Sequence, residues 1–124
     1  MSVAWGGRQR TRSRELPAGP DAAKEARWFL LDALRGRQEP QDVETAALLA
    51  SEVASNAARH GKEPIELSVT LEDEGLRVSV LDQGPGFDPT DEALSGTGLT
   101  IIEALSSDWG AQRTEDGTEV WFKV

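Results

Sequence analysis

Residues 51–71 read SEVASNAARHGKEPIELSVTL, and inside this stretch the hydrophobic period changes from that of a helix to that of a strand. Up to Gly61, Val53, Ala54 and Ala57 continue a small apolar stripe begun by Val43, Ala46, Ala47 and Ala50 at helical spacing. From Ile65, Leu67, Val69 and Leu71 alternate with Glu66, Ser68 and Thr70, the pattern of a strand with one buried face. The spacing therefore predicts a helix that opens after Pro40, around Gln41-Asp42, and runs to His60-Gly61. A hairpin follows: Glu72-Asp73-Glu74-Gly75 supplies the turn, and Leu76, Val78 and Val80 alternate with Arg77 and Ser79.

Upstream, Gly19-Pro20-Asp21 opens another helix, with Ala23, Ala26, Leu30 and Ala33 at helical spacing and Arg35-Gly36 as its close. Downstream, Asp82-Gln83-Gly84-Pro85-Gly86 breaks the hairpin and a polar, acidic stretch runs to Ser95. A third helix starts near Gly98, with Leu99, Ile101, Ile102 and Leu105 as its apolar positions. A last hairpin takes Trp109 to Arg113, turns at Glu115-Asp116-Gly117, and places Val120, Phe122 and Val124 on one face, leaving Trp121 exposed on the other. Helices sharing one face of a mostly antiparallel mixed sheet give an α+β two-layer sandwich.

At 124 residues the default is a single domain. Thirteen Lys and Arg against 22 Asp and Glu give a net charge of −9, which argues against broad phosphate-backbone binding to DNA or RNA. Four arginines, Arg8, Arg10, Arg12 and Arg14, against Glu15 give the first fifteen residues +3 and leave −12 to the remainder. Residues 1–14 are read as a basic arm, mobile or entering as an edge strand, and residues 15–124 as the domain. No run is apolar enough for a signal peptide or a membrane span. With no cysteine and one histidine, thiolate chemistry and a multi-His metal centre are excluded, and a cytoplasmic protein is expected.

Three polar clusters interrupt this pattern. Glu52 and Asn56, at i and i+4, share a helix face and follow Leu49 on a stripe that begins apolar. An amide oxygen suits magnesium and a neighbouring carboxylate suits a base or water-orienting group, although taken alone the pair is read first as a solvated helix face. Asp82 stands at a strand end before Gly84 and Gly86, where a carboxylate can accept the amino group of adenine and repel the carbonyl of guanine. An ordinary loop opened by an Asx turn is the alternative there. Gly96-Thr97-Gly98-Leu99 lies at the mouth of the third helix, where free N–H groups and the helix dipole suit phosphate. The P-loop Gly-Lys-Ser/Thr is absent and no Rossmann-like strand–helix–strand unit precedes it.

Taken in order with Gly117-Thr118-Glu119-Val120, these motifs resemble the histidine-kinase-like ATP-binding fold shared by type II topoisomerases, sensor histidine kinases and mismatch-repair ATPases. Leu16-Pro17-Ala18 with Pro20, the run from Ser51 to Gly61 and the short lid look most like the small anti-sigma factors that are serine/threonine protein kinases. The resemblance covers residues 15–124 and implies ATP and magnesium as cofactors. It implies that Asn56 ligates magnesium, Glu52 is the catalytic base, Asp82 binds the adenine amino group with Gly84 and Gly86 nearby, and Thr118 reinforces Asp82 through water. Gly96, Thr97, Gly98 and Leu99 would face the phosphates, with Arg59 and His60 beside the nucleotide. For His60, a helix C-terminal residue favoured by the dipole is the alternative.

The same resemblance implies partners: a sigma factor and an anti-sigma factor antagonist, with no direct nucleic acid and no membrane, in a family whose members are often homodimers. From Gly84 to Gln112 there is no Lys or Arg, so the lid from Phe87 to Ser95 brings no cation to the γ-phosphate. Arg59, magnesium, backbone amides or a second chain would supply it. A non-catalytic ATP-binding module is therefore a second reading. A histidine-kinase catalytic fragment is a third, disfavoured because the residues before the domain are too few for a phosphoacceptor helix.

Overall fold

The computed structural model describes residues 10–36, 38–60, 62–73, 75–84, 98–115 and 117–124. Along the chain run β1 (Thr11–Leu16), α1 (Ala22–Leu34), α2 (Pro40–His60), β2 (Ile65–Glu72), β3 (Gly75–Asp82), α3 (Gly98–Leu105), β4 (Asp108–Thr114) and β5 (Gly117–Lys123). Among the described residues the strands form one sheet in the order β1-β2-β3-β5-β4. Every neighbouring pair is antiparallel, so the sheet is purely antiparallel rather than mixed. The expected α+β sandwich is otherwise the observed one.

The change of period after Gly61 is realised in the expected place. On β2 and β3, Ile65, Leu67, Val69, Leu76, Val78 and Val80 are buried, and on β5 Val120 and Phe122 join them. Across β2 and β3, Leu67 pairs with Val80 and Val69 with Val78, so the two strands present one apolar face. On α2 the buried set is small: Ala46, Ala47, Ala50, Ala54 and Ala57 accompany Val43, Leu49 and Val53. Small side chains let the helix backbone lie close to β2 and β3, which it contacts, and to α1, its main helical neighbour.

On α1 the buried residues are Ala22, Ala26, Phe29, Leu30, Ala33 and Leu34; the expected Ala23 is only half-buried. Ala26, Leu30 and Ala33 thus lie on the buried stripe as expected, and Ala22, Phe29 and Leu34 extend it. Asp21 occupies the N-cap without a side-chain cap bond, its carbonyl taking the Glu25 N–H instead, and Gly36 leaves the helix at φ 72°.

Of the two readings of the N-terminal arm, the edge strand holds for residues 11–14, so β1 straddles the expected boundary before Glu15. Its arginines dock on α1. The Arg14 guanidinium bonds Glu25 at 2.7 Å, and Arg12 lies 5.7 Å from the centre of the Phe29 ring. On the opposite sheet face, Thr11 meets Thr70 and Ser13 meets Ser68 through their hydroxyls.

Trp121 corrects one expectation. It does alternate away from Val120 and Phe122, yet it is half-buried rather than exposed. The indole lies over Gly110, where any side chain would collide with the ring, and Arg77 stacks on it at 5.0 Å.

Candidate functional site

A core made almost wholly of hydrocarbon makes its polar exceptions informative, since a buried polar group is costly unless bonded. Among the described residues the buried polar or charged side chains are Asn56 (2% exposed), Asp82 (4%) and Thr118 (1%). All three were candidates from sequence.

Asp82 is the last residue of β3 and Thr118 the second of β5, and the register sets them directly opposite. Directly opposed residues of an antiparallel pair point to the same side of the sheet, here the core side. The Asp82 carboxylate accepts the Gly84 N–H at 2.8 Å, closing an Asx-type turn, and a backbone hydrogen bond from Lys62. Burial raises its carboxyl above the ordinary value of 3.8, and these two bonds pull it part of the way back. Thr118 Oγ1, by contrast, is buried and finds no hydrogen-bond partner among the described residues. A buried orphan hydroxyl beside a buried carboxylate is an arrangement that a polar ligand edge, or the water it holds, would complete.

Gly117 explains how the strands come so close. Its φ is +156°, and a Cβ there would run into the Asp82 carbonyl oxygen and meet the Gln83 Cα at 2.8 Å. Only glycine lets β5 begin against the end of β3.

Asn56 reaches the same end of the sandwich through the exit of α2. Gln83 N–H donates to the Lys62 carbonyl at 2.9 Å, and Lys62 in turn bonds Asp82, so the segment leaving α2 is stitched to the end of β3. The Asn56 amide oxygen accepts a hydrogen bond from Arg59 Nη2 at 2.8 Å, while Arg59 itself is exposed. Glu52 is half-buried one turn before Asn56 on the same face. Lys62 was not singled out from sequence, because it acts through its backbone, which leaves no side-chain signature.

The remaining candidates divide cleanly. Gly84 is buried beside Asp82, His60 is the last residue of α2, and Gly98 and Leu99 form the first turn of α3, which packs on α2. Gly86, Gly96 and Thr97 lie outside the described residues, as does the lid from Phe87 to Ser95.

The sequence profile of the histidine kinase-like ATPase domain matches residues 16–124. The chain belongs to that family. No curated protein matches it. Membership implies ATP binding, and it agrees with the antiparallel sheet, the helical layer and a polar site between the end of β3 and the start of β5. The residues fit the nucleotide: a buried acceptor in Asp82 and an unsatisfied hydroxyl in Thr118 stand together. For magnesium the chain offers an amide oxygen at Asn56, and among the described residues no group of three or more His, Cys, Asp or Glu could hold a metal. Phosphate oxygens would complete such a shell, as is usual for this ion.

Proposed function

We propose that this ATP-binding domain is an anti-sigma factor with serine/threonine protein kinase activity, which holds a sigma factor and phosphorylates the antagonist that would release it, in the cytoplasm. The observation that carries the nucleotide part of this reading is that, among the described residues, Asn56, Asp82 and Thr118 are the polar side chains of an otherwise apolar core.

In this reading Asp82 accepts the exocyclic amino group of adenine, and guanine, with a carbonyl oxygen at that position, is refused. Thr118 Oγ1 gains its missing partner when the base is in place. Gly84 lets the chain approach the ring, and Gly98 and Leu99, in the first turn of α3, offer backbone N–H groups to the phosphates. Magnesium, when bound, neutralises phosphate charge, with Asn56 as its protein ligand. Glu52 takes the proton of the acceptor serine or threonine as its oxygen bonds to the γ-phosphorus and the bond to the bridging oxygen of ADP breaks.

A second reading is favoured by one feature: no Lys or Arg lies between Gly84 and Gln112. Without a lid cation, ATP orders the site and tunes partner affinity without transfer. Mixing the protein with γ-labelled ATP and candidate antagonists, scoring binding and transfer together, separates the two. Under the kinase reading label moves to the antagonist and Glu52→Gln abolishes the movement; under the binding reading ATP is retained and no label moves.

A further inference from the structure

We propose that Arg59 is a built-in cation that shares the Asn56 amide oxygen with the divalent metal, so that this chain holds nucleotide in the absence of magnesium. The inference rests on the nucleotide reading above and concerns how that site manages charge.

Asn56 is buried, and its Oδ1 is a hard oxygen that suits a divalent metal. The Arg59 guanidinium already donates to that oxygen at 2.8 Å. Arginine stays charged at any working pH. A metal ion on the same oxygen would bring like charges within a few ångströms, so occupancy of Asn56 by one weakens the hold of the other. The two cations are therefore alternatives at one atom.

Three further facts give the guanidinium a role beyond tethering an amide. Among the described residues no carboxylate forms an ion pair with Arg59. Glu52, Asn56 and Arg59 stand at i, i+4 and i+7 on α2, along one stripe. A guanidinium carries five donors in a planar fork, and the Asn56 bond uses one of them, leaving others for phosphate oxygens. The chain as a whole is at −9 and brings no Lys or Arg between Gly84 and Gln112, so a fixed cation at Asn56 supplies charge the lid lacks.

The test is nucleotide binding by the full chain, by calorimetry with ADP and with ATP, in excess magnesium and in chelator. Wild type is expected to change Kd by less than about threefold between the two conditions, while Arg59→Ala weakens at least about tenfold in chelator and recovers when magnesium is restored. Arg59→Lys, which keeps the charge, is expected to recover much of the binding in chelator. Arg59 is exposed and alanine is the better helix former, so the variant should fold; should it not, the wild-type Kd ratio alone decides. Loss of wild-type binding in chelator overturns the proposal. So does an Arg59→Ala defect of equal size in both conditions, which would make Arg59 a plain phosphate ligand or a structural tether. If no nucleotide binds to wild type in either condition, the nucleotide reading itself falls and takes this proposal with it.

Discussion

Asp82 and Thr118 face each other across β3 and β5, both buried: the carboxylate takes backbone hydrogen bonds from Gly84 and Lys62, while Thr118 Oγ1 finds no partner among the described residues. Leaving a buried hydroxyl unpaired costs roughly 1–3 kcal/mol. Thr118→Val keeps the shape and removes the orphan. The variant is expected to be more stable than wild type by about 1 kcal/mol in urea unfolding, and to bind nucleotide more weakly. A Thr118→Val that loses stability would mean that the hydroxyl has a partner in the folded protein.

Asp82 makes stability depend on pH in a stated direction. Burial raises its carboxyl above 3.8, so the native chain binds this proton more tightly than the unfolded chain. Stability contributed by this site therefore falls as pH rises from 3.8 through the raised native value, and above that window the deficit is constant. Without nucleotide, Asp82→Asn is expected to melt above wild type at neutral pH, with the gap closing towards pH 3.8. Melting curves across that range check it, and a gap that widens in acid would reverse the assignment.

Gly117→Ala is the substitution the site tolerates least. Its Cβ would strike the Asp82 carbonyl at a backbone conformation that favours glycine. A loss of at least about 3 kcal/mol, with nucleotide binding lost alongside, is expected from denaturant titration.

The fold was legible where the signal is local. The change from helical to alternating period after Gly61 needs only neighbouring residues, and both hairpins follow from their turns. What was not legible depends on pairing between distant strands. Alternation put Trp121 on the outer face, but only the β4–β5 register brings Gly110 beneath it, and only the β3–β5 register brings Arg77 near. The site divides in the same way. Glu52, Asn56 and Arg59 are joined by helical spacing, and the ordered motifs named Asp82 and Thr118, but that these two stand opposite each other is a fact of register. The part played by Lys62 is carried by its backbone and has no residue-type signal.

The small stripe on α2 is a packing constraint. Ala50 is fully buried, and Ala50→Leu is expected to cost about 1–3 kcal/mol by forcing the helix from its neighbours. Leu48→Ala on the exposed side of the same helix should change stability by no more than about 0.5 kcal/mol. Thermal melts of the pair measure the contrast; equal losses would contradict the close approach of α2.

Calorimetric titration of ATP into wild type and into Asp82→Asn tests most directly whether Asp82 reads adenine, as proposed above. Wild type is expected to bind ATP saturably and the folded Asp82→Asn variant at least about a hundredfold more weakly, because an amide cannot replace the carboxylate towards both the amino group and the turn. Equal affinity of the two proteins for ATP would contradict it.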